Sequence, residues 1–201
     1  KQLAYATCIG VTVWVFLQNP RSSIKYGTAL VVWAGIIFGI LMLLTNGQWW
    51  TNIITANQNP YITEQFTGLF KQFIQLHWSI LILAILLIIY EIYFTRLSLY
   101  AVWFIVSLAN TFAAGKWGAG DSYFATLLAS TCILAGIFLS KSITSTWTLP
   151  ENNYLSRSLT KFKIPHFQNL LAVCSSILLL IYSLSVFKMP TSGPIFEPIS
   201  R

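Results

Sequence analysis

Residues 113–130, AAGKWGAGDSYFATLLAS, place a lysine, several glycines and an aspartate between two strongly apolar stretches of the chain. A bilayer core of about 30 Å is crossed by roughly 17 to 25 mostly apolar residues in a helix. The residues before and after this segment meet that requirement, and the glycines permit a tight reversal between them. The segment therefore predicts two transmembrane helices joined by a short polar turn.

The composition of the whole chain favours the same fold class. Of the 201 residues, 56% are hydrophobic and 8% are charged, whereas about a quarter of the residues in a soluble domain are charged. Six segments are apolar enough to span a bilayer, the first only marginally: 3–17, 27–44, 78–94, 97–115, 122–140 and 167–187. We therefore predict an all-α, polytopic integral membrane protein with about six transmembrane helices, forming a single domain over residues 1–201.

Neither the charge nor the cysteines indicate a nucleic-acid or metal ligand. The net charge is +7, but the twelve basic residues are scattered and do not cluster with exposed aromatic residues, so no nucleic-acid partner is predicted. Cys8, Cys132 and Cys174 each lie in an apolar run without a CxxC motif, which favours small buried side chains. We predict no metal site and no cofactor.

The start of the chain carries no sign of a secretion signal. Apolar sequence follows Lys1 directly, without a basic n-region or a small-residue cleavage site. We therefore expect the chain to be a fragment of a longer polypeptide.

The distribution of basic residues predicts an orientation in the membrane. If the loop around residues 18–27 is cytoplasmic, alternation of the spans places seven basic residues inside: Arg21, Lys25, Arg96, Lys141, Arg157, Lys161 and Lys163. Five then lie outside: Lys1, Lys71, Lys116, Lys188 and Arg201. This excess predicts that residues 45–77 and the turn near 116–121 are extracytoplasmic, and that 141–166 form a basic cytoplasmic loop.

The second half of the 45–77 loop has the pattern of an amphipathic helix. Asn59 and Pro60 give a helix-start signal, with Asn as the cap and Pro at the first helical position. Apolar residues follow at helical spacing, which predicts an extracytoplasmic helix lying in the membrane interface and joining the third span near His77. Lys71 on this helix either snorkels to the interface or meets a lipid phosphate.

Aromatic and imidazole side chains in the same loop have structural and binding interpretations. Trp49 and Trp50 stand where an aromatic belt would anchor the chain, or where a sugar could stack. His77 is either an interfacial residue or a base. All three are candidate substrate-binding residues.

The turn itself allows three interpretations. Asp121 can cap the following helix and complement its positive end. The Gly-x-Gly-Asp string also occurs in intramembrane aspartyl proteases, which need a second carboxylate; Asp121 is the only aspartate, and Glu91 is predicted at the opposite membrane surface. In the third interpretation, Lys116 and Tyr123 present a cation and a phenol to an anionic head group.

Several of these motifs, taken in order, resemble the C-terminal half of bacterial membrane glycosyltransferases of the GT-C superfamily, relatives of protein O-mannosyltransferases and of the aminoarabinose transferase of lipid A. The resemblance lies in the initial KQ (residues 1–2), TNGQWWTNIITANQNPY (45–61) and the amphipathic helix after it. It continues in FAAGKWGAGDSYFATLLASTCILAG (112–136) and MPTSGPIF (189–196). In such enzymes a lysine followed by a helix that begins with a tyrosine occupies the turn where Lys116 and Tyr123 stand.

The resemblance implies a sugar transfer from a polyprenyl-phosphate-linked donor to an acceptor on the extracytoplasmic face of a bacterial inner membrane. Lys116 would lie near the donor phosphate, Lys71 would be the second candidate, and Asp121 and Tyr123 would line the mouth of the donor cavity. The family's acidic catalytic base lies in a loop that this chain does not match, so no catalytic residue is predicted here. The expected partners are the lipid-linked sugar, membrane lipid and other membrane subunits. The alternative is a non-catalytic polytopic subunit of a larger membrane complex.

Overall fold

The computed structural model describes residues 4–144, 147 and 167–186, and this part of the chain is helical without a β-strand. Its α-helices are α1 (Ala4–Gln18), α2 (Pro20–Leu44), α3 (Gln48–Ile53), α4 (Thr63–Phe94), α5 (Leu99–Asn110), α6 (Ala125–Thr144) and α7 (Phe167–Val186). Short 3₁₀ helices lie at Thr55–Asn57, Thr111–Gly115 and Asp121–Phe124. The prediction of an all-α fold is confirmed.

Four helices in the described ranges are long and apolar enough to cross a membrane: Pro20–Leu44, Thr63–Phe94, Asp121–Thr144 and Asn169–Val186. The first and fourth predicted spans correspond to shorter apolar helices, Tyr5–Gln18 and Leu99–Gly115. These lengths are compatible with a membrane protein. Most of the predicted basic loop at 141–166, the initial KQ and the 189–196 motif lie outside the described residues.

Helix α4 corrects the prediction for the extracytoplasmic loop. The amphipathic segment and the third span form one continuous helix of 32 residues that begins at Thr63, with Ile62 at the cap position. Asn59 therefore does not cap it. The side chain of Asn59 instead donates a hydrogen bond of 2.9 Å to the carbonyl of Trp117.

The core lies where α4, α6 and α7 pack against one another, and α5 packs against α6. Helix α1 packs against α5 and α2. Small and polar side chains are fully buried in the core, including Ala84, Ser130 and Ala135, and such residues let helix backbones approach closely in a membrane. The core is extended by larger apolar side chains: Ile80, Leu83, Leu87, Leu127 and Leu134.

The outer surface of the bundle is apolar, as expected for helices that face lipid. On α2, for example, Val31 is 73% exposed and Trp33 is 65% exposed. The three cysteines are also exposed, so the prediction that they are buried is wrong.

The turn between α5 and α6 is docked onto the segment before α4. The amide of Ile62 donates to the carbonyl of Gly115 (2.7 Å), and the amide of Trp117 donates to the carbonyl of Pro60 (2.9 Å). Tyr61 and Lys116 thus form an isolated antiparallel bridge. The ring of Tyr61 lies so close to Gly115 that an added Cβ would stand 2.3 Å from two ring carbons.

Gly115→Ala is therefore expected to destabilise the fold by about 1–3 kcal/mol, because the new methyl group must displace either the aromatic ring or the backbone of the turn. The measurement is the apparent unfolding temperature of the detergent-solubilised protein. Gly120→Ala is the matched control, since Gly120 has a negative φ and open space at its Cβ position. Equal unfolding temperatures for the two variants would contradict the docking of Tyr61 on Gly115.

Candidate functional site

Gln65, in the first turn of α4, holds the turn between α5 and α6 in place. Its side-chain nitrogen lies 2.9 Å, 2.8 Å and 3.1 Å from the carbonyl oxygens of Ala114, Lys116 and Ala119. Three backbone carbonyl oxygens thus converge on one amide group. The carbonyl of Lys116 also accepts a hydrogen bond of 2.9 Å from the amide of Ala119. Together with the bonds from Asn59 and Ile62, this fixes a non-helical segment at one end of the bundle, which we call the turn end.

Lys116 lies at the outer surface of the turn end. Its backbone is held on both sides, by the bridge to Tyr61 and by the bond from Gln65. Its side chain is exposed, and no acidic side chain within the described residues forms an ion pair with it. The backbone is fixed while the ammonium group is left accessible, an arrangement that can bind an anion at the surface.

Asp121 does not have the predicted capping role. The cap position of the 3₁₀ helix Asp121–Phe124 is Gly120, and no side chain caps this helix. The carboxylate lies in the first turn, where it still complements the helix dipole. Asp121 is exposed and lines a cavity below the turn.

This cavity, which we call the subturn cavity, has a volume of about 330 Å³ and lies between α4 and the start of α6. Its lining residues are Leu69, Gln72, Phe73, Leu76, His77, Asp121, Ser122, Phe124, Ala125 and Leu128. The size is at the lower end of the range for small-molecule sites. The structure therefore brings two of the predicted site residues, His77 and Asp121, to one cavity.

His77 is buried and oriented by aromatic neighbours. Its Nδ1 lies 3.0 Å from the hydroxyl of Tyr182 on α7, and its ring packs at 4.7 Å from that of Phe73. Since Nδ1 is engaged by Tyr182, only the other edge of the ring, which carries Nε2, is left for a ligand. His77 is thus a positioned imidazole within the helix bundle.

The other predicted site residues lie apart from this cavity's lining. Tyr123 is half-buried and packs against the apolar core. Lys71 is exposed on α4. Trp49 and Trp50 lie on α3, and both pack edge-on against Phe38 of α2, with centroids at 5.1 Å and 5.7 Å. Their contacts are those of aromatic side chains anchoring a short helix to its neighbour.

The structure argues against a carboxylate pair formed by Asp121 and Glu91. Glu91 is buried near the far end of α4, where its carboxylate accepts a 2.8 Å hydrogen bond from the amide of Ser98. The 14 helical residues between His77 and Glu91 correspond to about 21 Å along the axis. Glu91 therefore closes the connection between α4 and α5 and cannot share a proton with Asp121.

Two residues of this region were not predicted from the sequence. Gln65 occurs in a polar stretch of an amphipathic helix, where a solvent-facing role is the ordinary interpretation. Tyr182 lies in an apolar span, 105 residues from its partner His77, and no local pattern signals their contact. Both act through long-range contacts.

Gln65→Glu is expected to destabilise the protein by about 2 kcal/mol or more, because a carboxylate has no hydrogen to donate and would face three carbonyl oxygens. Gln75→Glu, which introduces the same charge at an exposed position on the same helix, is the control. The apparent unfolding temperature in detergent and the protease sensitivity of the turn measure the effect. A Gln65 variant as stable as the Gln75 variant would show that these bonds contribute nothing to the fold.

Comparison of the chain with protein-family models, with curated proteins and with solved structures gives no match in any of the three.

Proposed function

We propose that the chain is part of a membrane glycosyltransferase that transfers a sugar from a polyprenyl-phosphate-linked donor to an acceptor on the extracytoplasmic face of a bacterial inner membrane. The observation that carries this proposal is the exposed ammonium of Lys116 on a turn whose backbone is held by Gln65, Ile62 and the bridge to Tyr61. A lysine on a fixed backbone presents its charge at one place at the end of the apolar bundle, which suits a phosphate ligand.

The surroundings of Lys116 suit an amphipathic ligand. The helices around the turn expose apolar side chains, including Phe112 at 59% and Trp117 at 61%. A polyprenyl chain can pack against such a surface while its phosphate lies at the level of the turn. Lysine binds phosphate as a point charge, without requiring the bidentate geometry of arginine.

The same cation would assist the chemistry. When the bond between the sugar and the phosphate breaks, negative charge develops on the leaving phosphate, and a fixed cation stabilises that charge. Lys71 is the second cation of this function. Asp121, Tyr123, His77, Trp49 and Trp50 complete the proposed set of substrate-binding residues.

We assign no residue of the described ranges as the base that activates the acceptor. Three acidic residues lie in the described ranges: Glu64 in the first turn of α4, Glu91 at its far end, and Asp121. Glu91 is engaged by Ser98 at the end of α4 that lies away from the turn. We assign no base among these residues, and the function proposed for them is to hold the donor.

Lys116→Ala in the intact polypeptide is expected to weaken undecaprenyl phosphate binding about tenfold, the effect of losing one charge-assisted contact of about 1.4 kcal/mol. Binding is measured by native mass spectrometry of the protein in nanodiscs. Transfer of labelled sugar from a polyprenyl-phosphate donor should fall at least as much, while the unfolding temperature stays within the range of the wild type.

Lys25→Ala is the control, because Lys25 is exposed near the start of α2, at the opposite end of the bundle. Lipid binding that is equally strong in the Lys116 and Lys25 variants would contradict the site. If the intact wild-type polypeptide also transferred no sugar from any polyprenyl-phosphate donor, the non-catalytic subunit would replace the transferase as the proposed function.

A further inference from the structure

A second cavity lies between α1 and α5, and we call it the α1–α5 groove. Its volume is about 440 Å³, within the range of small-molecule sites. Tyr5 and Asn110 are the polar side chains of its lining, and no charged residue belongs to it. The other lining residues are aliphatic: Ala6, Ile9, Ile105, Val106, Ala109 and Ala113.

Tyr5 and Asn110 form a pair that has more hydrogen-bond donors than it uses. The hydroxyl of Tyr5 donates to Oδ1 of Asn110. Asn110 is 8% exposed, and its Nδ2 has no hydrogen-bond partner within the described residues. If the amide is rotated by a half-turn, Nδ2 donates to the oxygen of Tyr5, and the O–H of this half-exposed tyrosine is then the group without an acceptor. In either orientation the pair can donate a hydrogen bond to a ligand.

An unused donor is unfavourable in this groove, because the apolar surface of the bundle faces hydrocarbon, which offers no water to accept its hydrogen. The aliphatic walls alone would not select a ligand, since lipid tails are as apolar as the side chains of Ile9 or Ile105. The polar pair does select one. It favours a group that accepts hydrogen bonds and is attached to an apolar chain.

The polar pair lies at one end of the groove. Tyr5 is in the first turn of α1, and Asn110 is the last residue of α5. Ile9 lies one turn further along α1, and Ile105 precedes Asn110 by more than one turn of α5, so the aliphatic walls continue away from the turn end. The groove thus has a hydrogen-bonding end and an apolar end.

The hydrogen-bonding end matches the level of the ester groups in a bilayer. The 3₁₀ helix Thr111–Gly115, about 10 Å long, separates Asn110 from Lys116 at the turn end. The interfacial layer on each side of the hydrocarbon core is about 5–8 Å thick. With the turn end at the membrane surface, Asn110 lies near the inner edge of this layer, where glycerolipid esters join their acyl chains.

From these observations we infer that the α1–α5 groove binds a glycerophospholipid of the surrounding bilayer by one ester-linked acyl chain. The ester carbonyl accepts a hydrogen bond from the pair of Tyr5 and Asn110, and the acyl chain lies along Ile9 and Ile105. A polyprenyl chain carries no carbonyl group and would leave the donor unpaired. The inference does not depend on the proposed function, because Lys116 does not line the groove.

The test compares two lipids that differ only in their carbonyl groups: phosphatidylcholine with two ester-linked oleoyl chains, and its diether analogue with chains of the same length. The intact polypeptide is equilibrated with equal amounts of both in detergent micelles, and the bound lipids are counted by native mass spectrometry. We expect the ester lipid to be bound in about threefold excess or more, the effect of one additional hydrogen bond.

A double variant, Tyr5→Phe with Asn110→Leu, removes both polar groups of the lining and should reduce the ratio of bound ester to ether lipid to about one. Replacing both partners of a buried hydrogen bond by apolar groups of similar shape is nearly neutral for stability, so the variant should fold. Tyr26→Phe with Asn169→Leu makes the same two changes at exposed positions outside the groove and should keep the wild-type ratio.

A second variant pair tests the location without removing a polar group. Ala109 is an exposed lining residue, so Ala109→Leu should fold, fill the groove and bring the ratio to about one. Ala129→Leu adds the same volume at an exposed position on α6, outside the lining, and should bind like the wild type.

Equal binding of the ester and ether lipids by the wild-type protein would overturn the inference, as would an ester preference that survives in the double variant or in Ala109→Leu. Displacement of the ester lipid by undecaprenyl phosphate would also overturn it, because the groove would then hold the polyprenyl chain. Unchanged undecaprenyl phosphate binding by the double variant, together with a lost ester preference, would support a lipid site separate from Lys116. A wild-type protein that prefers the ester lipid but binds no undecaprenyl phosphate would support the groove and contradict the proposed function.

Discussion

Between the 3₁₀ helices Thr111–Gly115 and Asp121–Phe124 the backbone leaves the helical conformation at the end of an apolar bundle, and carbonyl groups there need hydrogen-bond donors. The side-chain amide of Gln65 donates to the carbonyls of Ala114, Lys116 and Ala119. The backbone amide of Ile62 donates to the carbonyl of Gly115. This requirement fixes where α4 starts. It also sets the position of α4 along the axis of α6, because the docked segment ends where α4 begins.

The features of the candidate site depend on this alignment. Because α4 continues without a break from Thr63, Phe73 and His77 are carried to the level of Phe124 and Asp121, where the subturn cavity forms. Helix α7 then closes the far side of His77 through Tyr182. A shift of α4 by one residue would turn the imidazole away by about 100° and separate it from both neighbours.

The periodicity of apolar residues was sufficient to predict the helical fold, because long apolar runs allow few other structures in a membrane. It did not predict the start of α4. Asn59 and Pro60 have the residue types of a helix start, but both are engaged by Trp117 of the distant turn, and tertiary contacts override the local signal. The cavity was also not predictable, since His77 and Tyr182 meet only after three helices have packed. Lys116 and Asp121 could be selected from the sequence because charge is rare in this chain.

Charge at the turn end is divided between two surfaces. Lys116 is exposed and does not line the subturn cavity, whereas Asp121, five residues later, is among the cavity's lining residues. Within the described residues the two groups do not form an ion pair, although a turn of this length would allow one if its backbone were free. The bonds from Gln65 restrict the backbone of that turn. Lys116 and Asp121 are each left available to a ligand group of opposite charge.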